Sequence, residues 1–177
     1  MRDTKGMITK ALQPLIGRKL SVARNAGNMK IFHFGELRRR PDEGLVGEYA
    51  LHVQCPWRLE QDGRVITGSL DYYVRADANP DPDWQPGAVA GHLQNQILSE
   101  LLGGYDEKSR SYTNQTQQLM VINVTSDSFW GGAQIELSGN YRLTMFPCAS
   151  RDEAWRLLNL YGTNEQFVVE GGKAVIE

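Results

Sequence analysis

The chain has 177 residues, a formal net charge of −2, 41% hydrophobic residues and 23% charged residues. That is about one domain, long enough to bury its own core, and the composition excludes a disordered chain. Two cysteines, Cys55 and Cys148, exclude a disulfide framework, and no stretch approaches the ~20 apolar residues of a membrane span.

The opening segment, MRDTKGMITKALQPL, has no long apolar run, so no signal peptide is expected. The thiols are then expected to be reduced and the protein cytoplasmic. Charge is unevenly spread. Residues 1–40 hold ten Lys/Arg against two acids, and residues 41–177 hold nine against nineteen. A basic arm for nucleic acid would look like this. So would basic strands lying beside acidic ones, and that is the preferred reading. Asp42 and Glu43 follow Arg38-Arg39-Arg40 at once, and no aromatic residues interleave the basic ones to stack bases.

Residues 1–14 read as a loose N-terminal arm or a short helix ending before Pro14. Arg18–Arg24 and Met29–Phe34 read as strands around the turn-rich Asn25-Ala26-Gly27-Asn28. Gly35–Gly47 is charged and punctuated by Pro and Gly, hence a loop or a frayed edge hairpin.

The block GEYALHVQCPWRLEQDGRVITGSLDYY, residues 47–73, carries the sharpest signal. Tyr49, Leu51, Val53, Cys55, Trp57 and Leu59 alternate toward one face. Asp62-Gly63 calls for a two-residue type I′ hairpin pairing Gln61 with Arg64. Extended without a break, that register sets Leu59 opposite Ile66, Trp57 opposite Gly68, Cys55 opposite Leu70 and Val53 opposite Tyr72. On the other face it sets His52 opposite Tyr73, Gln54 opposite Asp71, Arg58 opposite Thr67 and Pro56 opposite Ser69. Pro56 lacks a ladder donor, which makes an edge or a bulge there.

Residues 76–88 form a polar loop with three prolines. Val89, Leu93, Ile97 and Leu101, joined by Leu98 and Leu102, then make one apolar stripe on a helix stopped by Gly103-Gly104. Residues 105–118 are polar and expected to be mobile. Leu119–Val124 is a strand. Ala133–Leu137 and Tyr141–Phe146 form a hairpin, with Leu137 opposite Tyr141 if the apolar faces are to stay together. Ser150-Arg151-Asp152-Glu153 matches a capping box, yet a strand over Trp155–Leu158 is preferred to a helix. Phe167–Glu170 and Ala174–Ile176 close the chain as a small hairpin.

Few chemical signatures stand out. The histidines and cysteines have no zinc-like spacing. His52 and Cys55 point to opposite faces, so they do not make a nucleophile pair. The acidic run at 77–83 imitates a calcium loop but has Pro82 where the loop needs glycine and Ala88 where it needs glutamate. No phosphate-binding glycine motif occurs. No catalytic residue, metal or cofactor is therefore assigned. What remains is the polar hairpin face, His52, Gln54, Arg58, Asp71 and Tyr73, which could take a polar ligand or a partner, or be merely solvated. Trp84, in its polar loop, is a candidate contact anchor, whereas Trp57, Trp130 and Trp155 read as core or edge packing.

The string Gly47-Glu48-Tyr49-Ala50-Leu51-His52-Val53-Gln54, continuing to Trp57-Arg58-Leu59, resembles a block in a family of small bacterial proteins with no assigned function. The likeness extends weakly to Leu15-Ile16-Gly17, Phe34-Gly35, Leu137-Ser138-Gly139, Trp155-Arg156-Leu157 and Phe167-Val168-Val169. It carries over no activity and no site residues. More loosely, the small β-rich design is similar to immunity proteins encoded beside bacterial toxins.

The expectation is one α+β domain, 1–177. Mostly antiparallel β-meanders form two halves, 15–73 and 117–177, joined by one amphipathic helix within 87–103; the likeness of the halves fits a repeat and equally a chance similarity between amphipathic strands. The expected core is Leu51, Val53, Trp57, Leu59, Ile66, Leu93, Ile97, Leu101, Ile135, Leu137, Leu143 and Trp155. The leading functional expectation is a non-enzymatic protein-interaction module of immunity-like type. A small polar-ligand site on the His52/Arg58 face is the alternative, and nucleic-acid binding through residues 1–40 is the third. A membrane is not an expected partner, and a homo-oligomer is compatible with the sequence.

Overall fold

The computed structural model describes residues 4–41, 44–77, 91–103, 105–106, 111–112, 118–126, 130–162 and 165–177. The chain opens with helix α1 (Thr4–Leu12) and a 3-10 turn at Gln13–Leu15. There follow β1 (Lys19–Ala26), β2 (Met29–Phe34), β3 (Arg38–Arg40), β4 (Gly44–Val46), β5 (Tyr49–Val53), β6 (Trp57–Gln61) and β7 (Arg64–Gly68). A 3-10 helix at Ser69–Tyr73 leads toward helix α2 (Leu93–Leu102). The remainder is β8 (Tyr105–Asp106), β9 (Ser111–Tyr112), β10 (Leu119–Thr125), β11 (Ala133–Leu137), β12 (Tyr141–Met145), β13 (Glu153–Asn159), β14 (Gln166–Glu170) and β15 (Lys173–Ile176).

Eleven strands share one antiparallel sheet in the order β15-β14-β13-β5-β2-β1-β10-β11-β12-β6-β7. The order closes on itself through the chain. It leaves β5 by way of β2, β1, β10, β11 and β12, and it returns to β6, which starts only four residues after β5 ends. The sheet therefore wraps around a single core, as in a small barrel filled by side chains. Burial alternates without a break through the bend: Leu51, Val53, Cys55, Trp57 and Leu59 are buried, and Gln54, Pro56 and Arg58 are exposed. Phe32 on β2 and Trp57 on β6 meet edge to face inside, with ring centroids 5.1 Å apart.

The α+β class, the antiparallel meanders and the single amphipathic main helix hold. The two halves do not stand apart, however. β13 pairs with β5, and β12 pairs with β6, so the C-terminal strands flank both ends of the Tyr49–Gln61 segment. Leu137 does face Tyr141, and residues 153–159 do form a strand despite the capping-box pattern.

Three local expectations need correction. The N-terminal arm is not loose: Ile8 and Leu12 of α1 are fully buried in the main core, against β10 and β15. On α2 Leu98 and Leu102 of the expected stripe are buried, together with Gln94, whereas Leu93, Ile97 and Leu101 are only half-buried. Residues 87–90 of the expected helix lie outside the described residues. Trp130 is 73% exposed and packs no core. Among the described residues no helix is long and apolar enough to cross a membrane.

The hairpin of β3 and β4 covers part of the sheet's outer face. Arg24 donates to the Leu45 carbonyl, the Tyr161 hydroxyl donates to the Val46 carbonyl (2.6 Å), and Arg38 lies over the Tyr161 ring at 4.5 Å. Val22, His33 and Ala50 are buried on that outer face in consequence.

Candidate functional site

The Asp62-Gly63 turn forms as its residues require, with φ of +50° and +76° and Gln61 opposite Arg64. The register then slips. Val65 faces Glu60, Thr67 faces Leu59 and Gly68 faces Arg58, because a bulge at Ile66 adds one residue to β7. Thr67 is thereby turned inward and fully buried, where its hydroxyl donates to Asp71 (2.9 Å). Past Gly68 the chain coils into the 3-10 helix instead of continuing the ladder.

The predicted polar face is therefore not assembled. His52 sits on β5 between Ile31 of β2 and Arg156 of β13, not opposite Tyr73. Gln54 is exposed near Glu153, whose carboxyl it helps to hold below its usual range. Arg58 faces Thr144, pairs with Glu60 at 3.3 Å and lies 5.0 Å over the Phe146 ring. Asp71 and Tyr73 belong to the 3-10 helix, where Tyr73 is half-exposed and packs edge-on against Tyr72. Trp84 lies outside the described residues. The local turn was readable. The bulge was not, because nothing in Arg64-Val65-Ile66-Thr67 marks which residue is left unpaired.

Around His52 the structure builds a different polar group. Arg156 grips Glu153 through both Nε (2.7 Å) and Nη2, and also donates to Gln166. That grip holds the Glu153 carboxyl below its usual range. Burial lowers the His52 pKa, and the Arg156 charge lowers it further. His33, under the β3–β4 hairpin, accepts from the Gly47 N–H at 3.3 Å and is pushed down to about 3, first by burial and then by Arg24. Both imidazoles are neutral at pH 7, and His33 serves as a buried acceptor.

The basic N-terminal strands lie beside acids. Arg18 pairs with Glu48 at 2.9 Å and Lys19 with Glu36 at 3.2 Å.

The residue that sequence reasoning missed is Lys30. It is the one Lys, Arg, Asp or Glu among the described buried residues, at 1% exposure. Its Nζ donates to Asn25 Oδ1 (2.8 Å) and to Asn95 Oδ1 (3.1 Å), and Asn25 Nδ2 donates to the same Asn95 oxygen (3.1 Å). A signal for it existed: Lys30, Phe32 and Phe34 alternate on β2, and the two phenylalanines are fully buried. Burial lowers the amine from 10.5 to about 7. The unfolded chain then binds more protons between pH 7 and 10.5. The cost of Lys30 to stability is full below pH 7 and is relieved as the pH rises through that window.

α2 is fixed over Lys30 by its first turn. The Leu93 N–H donates to the Val74 carbonyl (2.8 Å), Gln94 Nε2 donates to the Gly68 carbonyl (2.9 Å), and His92 stacks on Tyr72 at 4.4 Å.

The cysteines differ sharply. Cys55 is buried, which pushes its thiol up to about 12, while Cys148 is exposed. A disulfide reagent such as DTNB is expected to label Cys148 alone in the native protein, and Cys55 only after unfolding. Rapid native labelling of both would contradict the burial of Cys55.

No family model matches the chain, and no curated protein or solved structure matches it either.

Proposed function

We propose that the protein acts by binding a protein partner, and that the contact is the apolar strip that follows β7. The carrying observation is the exposure of Leu70 (77%), Tyr73 (52%) and Val74 (43%) in one short segment. Leu70 and Tyr73 are three apart in a 3-10 helix, so they lie on the same side of it. The strip continues from β7, the last strand of the sheet order, where Val65 is also exposed. Clustered apolar side chains left in water are the usual mark of a docking surface.

The charges beside the strip are satisfied within the chain. Arg75 pairs with Asp77 at 2.7 Å, Asp71 accepts from Thr67, and Arg58 pairs with Glu60. The partner we propose therefore presents an apolar surface, and the complex depends little on salt. Arg18 and Lys19, already paired with acids, argue against nucleic acid as that partner. The immunity-like role is one form of this reading, with the protein in the cytoplasm. A toxin encoded beside the gene is the first partner to test.

The test is quantitative binding of that candidate partner to the wild-type chain and to a Leu70→Asp/Tyr73→Asp variant. The expected result is a roughly hundredfold or greater loss in the variant, as for removal of an interface hot spot, at unchanged melting temperature. Wild-type affinity falling steeply with salt, or equal binding by the variant, would refute the strip.

A further inference from the structure

Arg142 is exposed on β12, between the inward-facing Tyr141 and Leu143. It stands in register with Glu60 of β6 on one side and with Glu136 of β11 on the other. Opposite charges placed directly across a ladder ordinarily pair. Here Glu60 is taken by Arg58 at 3.3 Å, and Glu136 accepts from Asn123 at 3.4 Å. Among the described residues nothing hydrogen-bonds to the Arg142 side chain or forms an ion pair with it.

These three side chains line a groove of about 320 Å³, the size of a small-molecule site. Its end is the turn between β6 and β7. There Asn140 Nδ2 donates to one carboxylate oxygen of Asp62 (2.9 Å), which holds that carboxylate at the groove and leaves its second oxygen open.

A buried group also lacks a partner in this place. Tyr141 lines the groove and is only 6% exposed, yet among the described residues nothing bonds its hydroxyl. Among those residues the one fully sealed side-chain atom without a partner is Thr144 Oγ1. The Tyr141 hydroxyl is therefore not sealed, and it opens where its residue meets the groove. Burial raises its pKa and the Asp62 charge raises it further, so it remains a donor at neutral pH.

We propose that this groove binds a basic α-amino acid, of the lysine or arginine type. Along it the charges run Asp62 negative, Arg142 positive and Glu136 negative. The strands that carry the two acids lie two spacings apart, roughly 10 Å, which two separate cationic groups match. A basic amino acid carries the complementary order: a cationic side-chain end, a carboxylate and an α-ammonium. Arg142 takes the carboxylate in a two-point bond, with the Tyr141 hydroxyl as a further donor. Glu136 takes the α-ammonium and Asp62 the side-chain cation. The groove shares no residue with the apolar strip that follows β7, so a failure of either leaves the other standing.

The experiment is isothermal calorimetry of the full chain at constant ionic strength, with four probes titrated separately. L-Lysine and L-arginine carry all three charges, L-norleucine lacks the side-chain amine, and cadaverine lacks the carboxylate. Saturable binding of L-lysine or L-arginine is expected, with L-norleucine and cadaverine each weaker by roughly tenfold or more, the loss for one charge-assisted bond. Arg142→Gln should bring L-lysine down to the level of cadaverine. Asp62→Asn keeps a residue that tolerates the positive φ of the turn, and it should bring L-lysine down to the level of L-norleucine. Both positions are exposed, so melting temperatures near that of the wild type are expected. If a variant fails to fold, the four probes on the wild type still decide. No saturable binding of either basic amino acid would overturn the site. So would L-norleucine or cadaverine binding as tightly as L-lysine, or a folded Arg142→Gln variant that still prefers L-lysine to cadaverine.

Discussion

Replacing Trp155 by alanine is expected to lower the free energy of unfolding by about 3–5 kcal/mol. The indole is fully buried on β13, and its ring lies 5.7 Å from that of Phe167 on β14. Its N–H donates to the Gly131 carbonyl at 2.8 Å. That bond ties β13 to the segment entering β11, strands far apart in the sheet order. Gly131 is shaped for the contact. Its φ is +91°, and a Cβ there would stand 2.5 Å from Val169 Cγ1. Trp155→Phe separates the two contributions. It keeps most of the buried area and orphans the carbonyl, at a cost of about 1–3 kcal/mol. Urea unfolding of both variants measures the difference. A loss below about 1 kcal/mol for alanine would mean that the indole is not the joint described.

Trp57→Ala is expected to cost a similar amount, about 3–5 kcal/mol, for a different reason. Trp57 is the first residue after the bend between β5 and β6, and its ring meets Phe32 from the other side of the core. Truncation leaves a void where the sheet folds over itself, and the surrounding strands are held too tightly by hydrogen bonds to collapse into it. Trp130→Ala is the internal control, because that ring is exposed and its loss should change the melt little. If all three tryptophan variants melted alike, the distinction between buried and exposed indoles would fail.

The three tryptophans also show how far local pattern reaches. Trp57 lies in a strand whose alternation runs unbroken, so its burial could be read directly. Trp155 lies in a strand, not in the helix that the capping-box pattern would allow, and strand alternation puts it and Leu157 inside. Trp130 sits in a turn beside two glycines, where no period exists to say which way a side chain points. Helix α2 shows the same limit in another form. Its apolar residues span two adjacent faces, 93-97-101 and 98-102, and Gln94 completes the second. The choice between them fell to polar contacts, Gln94 with the Gly68 carbonyl and Asn95 with Lys30, which a hydrophobic period does not register.

The candidate sites divide along the same line. The residues singled out in the hairpin block were real surface or half-buried positions. Their association required an unbroken ladder that the bulge at Ile66 and the 3-10 helix after Gly68 do not provide. A lysine in a short amphipathic strand is ordinarily on the wet side, but the spacing of Lys30 from Phe32 and Phe34 puts it inside.

By itself, then, the sequence determined the antiparallel α+β class, the turn at Asp62-Gly63, the strand pairing of Leu137 with Tyr141, and which residues of the Tyr49–Leu59 run face the core. Each of these depends on neighbours a few residues apart. Only the tertiary structure decided that β5 lies between β2 and β13, that β6 lies between β12 and β7, and that Lys30 is enclosed under α2. Strands recognise one another through backbone groups that every residue carries. Which strands pair is therefore settled by how the whole set of apolar faces closes around one core, and no local stretch of residues encodes that closure.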